Sequence, residues 1–398
     1  MDIGGHVLFS HYPYFDKVVD RALQGNYLEH VREAWIWILA RFVPYPFQNN
    51  IKFLPRELIW ECIEGLIDLK LNPDSANFEE WIDANFGAGI AKYFMKPYNT
   101  KVWAHPLTLM SKEWISERVS VIDLKKVLYN VIYDKVDTGW GPNNTFKFPL
   151  RGGTGAIFNA IADGVRDHIQ LGKQVVKIDI HSKKVTLQDG STREYDVLIN
   201  TSPLDQFVVA SDLSSELKSC TADLLHNGGY SVSIGFRRPL DAELKTKCWN
   251  YFPEFNVPFY RVTYLSNYSP NMVPESSKHF LLMCETSYST HFSFDRESIV
   301  EKTIRGLVDS KFIHESDQSL IDFTDCIEID YSYPIPSVYR DRALDALIPA
   351  LEKLQVYSRG RFGLWRYETG NMDHSFMQGV EVADSILEGK PEVTRYKR

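Results

Sequence analysis

The spacing of apolar residues changes along the chain from a helical period to a strand period. Between residues 56 and 70, apolar residues recur three and four positions apart, which predicts an amphipathic helix. The same criterion predicts three further helices: one after a cap at Asn77, one near 90–94 that ends before Pro97, and one near 120–133. Residues 50–135 are therefore expected to form a mostly helical domain.

Beyond residue 150 the pattern becomes mixed. Three elements are predicted in order: a helix opened by a glycine-rich turn at 151–155, a hairpin at 173–187, and a buried strand at 196–203. Further strands are predicted at 230–236, 259–265 and 280–285, with helices near 296–309 and 344–354. The last helix is expected to bury Val380, Ala383, Ile386 and Leu387. These elements predict a mixed α/β domain and a second sheet unit.

The overall composition excludes several classes of protein. With a net charge of −8 and no basic tract in 398 residues, the chain does not have the character of a general nucleic-acid binder. No apolar run approaches the roughly 18 residues of a membrane helix, and no signal peptide is visible. The five cysteines form no CxxC pair, which favours a reduced, cytoplasmic protein. Aromatic residues make up 13% of the chain. They can form the core, or they can serve as platforms for a ring-shaped ligand.

Two glycine-rich turns precede predicted helices. The turn at 370–375 supplies small polar residues to a helix N-terminus, whose free N–H groups suit a phosphate or an electron-rich ring edge. An ordinary capped surface helix explains this turn equally well. The turn at 151–155 lacks the Lys-Ser/Thr ending of a P-loop, so it is a weak signal.

Arginines and aromatic residues near loops form a second group of candidates. Arg261, Arg361 and Arg366 lie among glycines or aromatics, and an arginine pair can grip a pyrophosphate. Solvated surface arginines are the alternative. The aromatic residues in or beside loops are Tyr45, Phe47, Phe94, Tyr98, Trp103, Tyr251, Tyr333 and Tyr367. Such rings can stack on bases and their hydroxyls can bind phosphates, although any single one is more often core.

Several common catalytic signatures are absent from the sequence. There is no HExxH and no metal-ligand spacing among the 11 histidines, so no metal site is predicted. The GxSxG nucleophile elbow and the GxGxxG dinucleotide fingerprint are also missing, and no acidic pair stands out. A side-chain triad or a metal is therefore not indicated as the source of chemistry.

Several long motifs, taken in order, resemble a single family. They are DIGGHVLFSHY at 2–12, VPYPFQNN at 43–50, FMKPYNTKVW at 94–103, WGPN at 140–143, FPLRGGTG at 148–155 and YSRGRFGLWRYETGNMDHSF at 357–376. On these motifs the chain resembles the eukaryotic-type UDP-galactopyranose mutases from residue 2 to about residue 387. Motifs of this length in the correct order are far more specific than a lone glycine pattern.

The resemblance implies a flavoenzyme that interconverts UDP-galactopyranose and UDP-galactofuranose with no net redox change. N5 of the reduced flavin would attack the anomeric carbon as UDP leaves, and the flavin–sugar adduct would open, reclose as the smaller ring and take UDP back. A protein of this kind needs no side-chain triad, because the cofactor supplies the nucleophile. FAD is the implied cofactor and NADPH the expected reductant.

The same resemblance assigns roles to the residues at the motif positions. His6, Arg261 and Arg361 are expected to be catalytic, with the arginines beside the pyrophosphate and His6 against the flavin. The expected substrate-binding residues are Tyr45, Gln48, Phe94, Asn99, Trp103, Arg118, Asn143, Tyr251, Tyr333, Tyr367 and Asn371. The expected flavin-binding residues are Gly4, Gly5, His6, Gly363, Asn371, Asp373, His374 and Ser375.

One departure from the family concerns the start of the chain. In the family a βαβ unit with GxGxxG precedes the Gly-Gly-His segment, so we expect a truncated mutase that lacks the site for the ADP half of FAD. An incomplete Rossmann-like FAD domain would comprise 1–20, 140–205 and 350–398, with an inserted helical domain at 50–135 and an antiparallel sheet domain at 21–49 and 206–349. A homo-oligomer without nucleic-acid or membrane partners is expected. Two alternatives stay open: a non-catalytic remnant that binds UDP-sugars, and another amine-oxidase-like FAD oxidoreductase.

Overall fold

The computed structural model describes residues 2–70, 72–115, 119, 122–138 and 144–396. Its α-helices are α1 (Pro13–Leu23), α2 (Arg56–Ile67), α3 (Phe78–Ile90), α4 (Lys96–Trp103), α5 (Leu124–Ile132), α6 (Gly155–Asp163), α7 (Leu204–Ala210), α8 (Ser215–Ser219), α9 (Leu265–Tyr268), α10 (Ile299–Asp309), α11 (Arg340–Lys353) and α12 (Met372–Glu388). Its strands are β1 (Tyr27–Val31), β2 (Ala34–Ile38), β3 (Arg41–Pro44), β4 (Thr145–Pro149), β5 (Val175–Asp179), β6 (Lys184–Leu187), β7 (Thr192–Glu194), β8 (Leu198–Asn200), β9 (His226–Phe236), β10 (Trp249–Tyr251), β11 (Arg261–Tyr264), β12 (Phe280–Tyr288), β13 (Ile321–Pro334) and β14 (Val356–Ser358). The predicted mixed α/β class is confirmed, while the division into domains stays a prediction.

The centre of the fold is a seven-stranded sheet in the order β13-β9-β12-β11-β10-β2-β3. Neighbouring strands pair antiparallel, except that β10 and β2 are parallel. β9 and β12 are buried along almost their whole length, because α10 covers one face and aromatic rings around Phe146 and Trp249 cover the other. The spacing of apolar residues does not indicate β13, because this edge strand is largely half-buried or exposed.

The helical region around α2, α3, α4 and α5 shares one core with β2 and β3 at the edge of the central sheet. α2 and α3 cross closely at glycines: a Cβ on Gly87 would lie 2.3 Å from the carbonyl oxygen of Gly65. The prediction that a helix ends before Pro97 is wrong, because the chain continues through a π turn at Ala91–Met95 into α4. Pro97 lies in the first turn of α4, directly after the π turn, where the hydrogen-bond spacing changes from π to α. Consequently Asn99 and Trp103 lie on a helix.

Smaller sheets flank the centre. β8 and β14 pair in parallel, β1 pairs with β4, and β5, β6 and β7 form an antiparallel sheet. The strand predicted at 196–203 is shorter than expected, and its Ile199 is exposed instead of buried. Within the described part of the chain, no helix combines the length and the apolar character needed to cross a membrane.

The burial of α12 differs from the predicted apolar stripe. Its buried positions are Asp373, His374, Gln378 and Val382. Val380, Ala383 and Ile386 are only partly buried, and Leu387 is 81% exposed. The first turn of α12 buries polar side chains because it borders a cleft instead of an apolar core.

Candidate active site

A cleft of about 950 Å³ opens between the seven-stranded sheet, the first residues of the chain and the start of α12. The predicted site residues that line it are Gly4, Gly5, His6, Tyr251, Arg261, Tyr333, Arg361, Tyr367, Asn371, Asp373 and Ser375. Residues from the beginning, middle and end of the sequence therefore meet in one place.

Arg261 is held in the cleft by a carboxylate on the neighbouring strand. Arg261 of β11 lies directly opposite Glu285 of β12 in the antiparallel register. Its Nη2 donates to Oε1 of Glu285 at 2.7 Å and its Nε donates to Oε2, with the two side chains only 19% and 11% exposed. Burial opposes the charge, but the Glu285 carboxylate more than offsets it and keeps the pKa of Arg261 well above its usual range.

Sequence reasoning missed Glu285. The available signal was a single acidic residue within the apolar run of β12, since a charge inside a buried strand needs a partner. The apolar sequence of β12 does not indicate which cation would pair with this acidic residue.

Arg361 lies beside two aromatic rings instead of against a carboxylate. Its guanidinium carbon is 5.5 Å from the centroid of Tyr333 and 5.8 Å from that of Tyr367. Its Nε donates to the backbone carbonyl of Gly370 at 2.8 Å. The positive charge of Arg361 is thus positioned by neutral groups, so it remains largely available to an anion.

His6 lies above the glycine pair at the edge of the cleft. Its backbone N–H donates to the Gly4 carbonyl at 2.7 Å, and a Cβ on Gly4 would lie 2.9 Å from Cε1 of the His6 ring. The ring faces the open cleft, but the surrounding protein removes enough water to lower its pKa, and Arg261 and Arg361 lower it further. Glu285 opposes these effects without reversing them, so His6 is neutral at neutral pH.

The main chain at Gly5 lies unusually close to β11. A Cβ on Gly5 would lie 2.5 Å from Oγ1 of Thr263 and 3.5 Å from Cζ of Arg261. Any side chain at Gly5 would therefore displace its neighbours. Thr263 is buried, and its hydroxyl has no hydrogen-bond partner among the described residues.

At the other side of the cleft, α12 begins with a polar cluster. Oδ2 of Asp373 accepts hydrogen bonds from the His11 backbone N–H at 3.1 Å and from His11 Nδ1 at 2.9 Å. The rings of His11 and His374 stack with centroids 5.5 Å apart. Ligand atoms of these three residues lie within 4.8 Å of one another, a set that sequence spacing did not reveal. Because His11 already uses the carboxylate, the cluster is explained as a hydrogen-bond network at the helix start.

Comparison with known proteins identifies the family. Residues 42–387 match the family model described as flavin containing amine oxidoreductase. The chain belongs to this family. A crystal structure of reduced UDP-galactopyranose mutase is similar with a TM-score of 0.95 and 41% identity, covering 100% of this chain and 87% of that chain.

More distant members share the fold. Cyclohexylamine oxidase from Brevibacterium oxydans has a TM-score of 0.65 and 13% identity, covering 98% of this chain and 88% of its own. A putrescine oxidase double mutant has a TM-score of 0.64 and 14% identity, with coverage of 97% and 88%. These two oxidases show the fold alone, whereas the mutase is similar in sequence along the whole chain.

The flavin of this family fits the residues in the cleft. Gly4 and Gly5 line the cleft, so a planar ring system there would meet main chain, while the Cβ position of Gly5 is directed at β11. The first N–H groups of α12 have no intrahelical partners, and a helix N-terminus favours an electron-rich ring edge. Oδ1 of Asp373 is also buried, and it has no hydrogen-bond partner in the part of the chain that the structure describes.

A group of tyrosines packs together at one side of the cleft, and two of them, Tyr251 and Tyr333, line it. The rings of Tyr98 and Tyr45 lie 5.0 Å and 5.4 Å from that of Tyr251, and the hydroxyls of Tyr260 and Tyr333 are 3.5 Å apart. Burial raises the pKa of each of these five hydroxyls. They are therefore neutral and able to donate hydrogen bonds at neutral pH.

Other predicted residues lie behind the cleft wall. Phe94 is buried between the rings of Phe47 and Tyr98, and Trp103 packs against Tyr367 with centroids 4.9 Å apart. Nδ2 of Asn99 donates to the Met95 carbonyl, Gln48 is buried, and a Cβ on Gly363 would lie 2.1 Å from the Arg359 carbonyl oxygen. Tyr45 and His374 also do not line the cleft. Arg118 and Asn143 lie outside the described residues. For every predicted residue in this paragraph, direct contact with a ligand stays a prediction.

Asn227 links the cleft to α4 and was not foreseen. Its Nδ2 donates to the carbonyls of Val102 and Trp103, both at 3.0 Å, and its Oδ1 accepts the Tyr333 N–H at 2.8 Å. The register of β13 against β9 shifts between Ile329 and Tyr333. Asn227 therefore fixes the position of Tyr333 after an irregularity that no sequence pattern reports.

Proposed function

We propose that this protein interconverts UDP-galactopyranose and UDP-galactofuranose and works with reduced FAD. The observation that carries the proposal is the pair of arginines, Arg261 and Arg361, on one cleft with the Gly4–Gly5–His6 segment. The 41% identity with a UDP-galactopyranose mutase over the whole chain supports the same reading. Reduced FAD, when bound, would supply the nucleophile for the anomeric carbon.

The backbone of Gly4 and Gly5 would lie against one side of the flavin ring. Asn371, Asp373 and Ser375, with His374 behind them, would hold its polar edge at the start of α12. Neutral His6 can donate or accept a hydrogen bond at this ring without adding a further positive charge to the cleft. A rigid cradle of this kind would orient the two reactants, which is the main task left to the protein.

The arginines would stabilise the UDP that departs. Negative charge on the diphosphate grows as the bond to the sugar breaks, so fixed cations lower the barrier most when they face the phosphates. Glu285 neutralises part of the charge of Arg261, whereas the hydrogen bond of Arg361 goes to the neutral Gly370 carbonyl. We therefore assign the larger electrostatic contribution to Arg361.

Neutral tyrosine hydroxyls would complete the phosphate site. Tyr251, Tyr333 and Tyr367 line the same cleft as the arginines. Raised pKa values keep Tyr251 and Tyr333 protonated, so they can donate hydrogen bonds to phosphate oxygens without adding negative charge.

Several finer points belong to the same proposal. The uridine pocket would comprise Tyr45, Gln48, Phe94, Asn99 and Trp103, and Arg118 and Asn143 would lie near the sugar. NADPH would reduce the flavin, the protein would be a cytoplasmic homo-oligomer, and it would belong to the eukaryotic type of mutase.

The test is turnover of UDP-galactofuranose by protein supplied with FAD. Anion-exchange chromatography should show UDP-galactopyranose formed in the presence of dithionite or NADPH, and none with oxidised flavin. Cyclohexylamine and putrescine serve as controls, with oxygen consumption as the measurement. Oxygen consumption with either amine, together with no sugar conversion by flavin-loaded protein, would assign an amine oxidase instead.

A further inference from the structure

A second cavity, of about 450 Å³, lies beside α4 and shares no lining residue with the cleft. Thr100 and Lys101 of α4 form one wall with Ala104, the residue after the helix, and α10 and the end of β12 form others. Tyr98 and Trp103, in contrast, contact tyrosines that line the cleft. α4 therefore borders both spaces, and the proposed function does not use the second one.

The charges around this cavity are mostly positive. Its lining contains Lys101, Lys302 and Arg305, with Asp309 as the acidic residue. Asp309 and Arg305 offset each other, because Oδ2 of Asp309 lies 3.5 Å from Nε of Arg305, and the charges of Lys101 and Lys302 remain. An anion entering the cavity would therefore meet a net positive surface.

Lys101 gives the cavity a buried cationic group. The residue is 8% exposed, and its Nζ donates to the carbonyls of Phe252 at 2.9 Å and Glu254 at 2.8 Å. An ammonium has three N–H donors, and no third acceptor or ion-pair partner of Lys101 occurs in the described ranges. Burial lowers the pKa of Lys101 well below its usual range although Glu254 opposes the shift, so an anion beside Nζ would favour the charged form.

Ser287 adds a polar group without a partner. The residue is 3% exposed and lines the cavity at the end of β12. Its Oγ has no hydrogen-bond partner among the residues that the structure describes. A buried hydroxyl of this kind is unfavourable unless something accepts or donates a hydrogen bond.

The rest of the wall is apolar and partly aromatic. Phe292 and Phe294 are half-buried in the loop after β12, while Val257 and Pro258 stand on the loop before β11. A Cβ on Gly306 would lie 3.2 Å from the side chains of this loop, so α10 packs tightly against it. Cations, a free hydroxyl and aromatic rings in one cavity match a small ligand with a flat apolar body and one anionic end.

We propose that the cavity beside α4 binds a small aromatic carboxylate. The carboxylate takes hydrogen bonds from Lys101 and from Ser287, whose buried hydroxyl turns toward the ligand, and the exposed Lys302 and Arg305 attract it from solvent. The ring lies against Phe292 and Phe294. Binding needs neither flavin nor UDP-sugar, so it goes beyond the proposed mutase function and is tested separately from it.

The test measures benzoate binding by ligand-observed NMR and calorimetry, without nucleotide or flavin. Benzamide is the matched probe, because it keeps the ring and loses the charge. We expect benzoate to bind at least about tenfold more tightly than benzamide, since a charge-assisted hydrogen bond is replaced by a neutral one. Equal affinity for the two probes, or no benzoate binding, would overturn the proposal.

Variants assign the binding to this cavity. Ser287→Ala and the surface double variant Lys302→Ala/Arg305→Ala should each weaken benzoate binding about fivefold or more. Arg361→Ala, which changes the cleft, should leave it unaffected. Unfolding curves of the surface variant should match the wild type, because both side chains are exposed. Benzoate binding that survives all changes beside α4 and disappears in Arg361→Ala would place the site in the cleft and refute the inference.

Discussion

The ion pair between Arg261 and Glu285 allows a quantitative test of how the cleft holds its charges. In Arg261→Met, an apolar stem of similar length leaves the Glu285 carboxylate, 11% exposed, without its two charge-assisted hydrogen bonds. Removal of one partner from a buried pair costs about 3–5 kcal/mol. We expect a loss of about 3 kcal/mol in the free energy of unfolding, at the low end because Arg261 and Glu285 keep some contact with cleft water.

The matched control also removes the charge of Glu285, which Arg261→Met leaves without a partner. Arg261→Met/Glu285→Gln replaces the carboxylate by a neutral amide of the same shape, and its stability should lie within about 1 kcal/mol of the wild type. Urea unfolding followed by circular dichroism, without nucleotide, gives both values. If the single and double variants lose equal stability, the Glu285 charge is not the cause and the reasoning fails.

Three further predictions concern regions away from this pair. Burial and the neighbouring His291 lower the pKa of His105 to about 4, so the free energy of unfolding should fall as the pH drops from about 6.5 to 4. At pH 5, His105→Gln should remove about 2 kcal/mol of that loss, measured by urea unfolding at about pH 6.5 and at pH 5. Asn227→Ala should raise KM for UDP-sugars more than it lowers kcat, because Tyr333 loses its anchor, and unchanged kinetics would argue against this role. Gly87→Ala should lower the free energy of unfolding by more than about 3 kcal/mol, because its Cβ would collide with backbone. The control Gly25→Ala, also at positive φ but in open space, should lower it by about 1 kcal/mol, and equal thermal melting points of the two variants would contradict the packing argument.

The sequence predicts helices and strands where one physical effect dominates. α2 and α3 follow from regular apolar spacing and, for α3, from the Asn77 cap, whose side chain accepts the Glu80 N–H. The sequence does not predict β13, because this edge strand carries no buried apolar stripe. The prediction at Pro97 is wrong because the cost of a proline depends on its place in a helix, and here it directly follows a π turn that no sequence pattern indicates.

The candidate site is predictable in part for the same kind of reason. Motif resemblance points to Arg361 and the glycine pair because these residues sit inside long recognisable segments, whereas Arg261 is noticed as an arginine beside aromatic residues on a predicted strand. Glu285 and Asn227 act through cross-strand and long-range hydrogen bonds, and nothing local in their segments names the partner. The exact set that lines the cleft therefore required the three-dimensional structure.

The central claim is that Arg361 supplies the available positive charge for the departing UDP. The most direct measurement compares kcat/KM for UDP-galactofuranose in Arg361→Ala and Arg366→Ala, both with reduced FAD. Arg366 lies in the same turn but pairs with Asp341 and Glu368 and does not line the cleft. We predict a loss of about 10²–10³-fold for Arg361→Ala, as for other fixed donors to a developing negative charge, and a change within about threefold for Arg366→Ala. Equal losses in the two variants, or full activity in Arg361→Ala, would contradict the account.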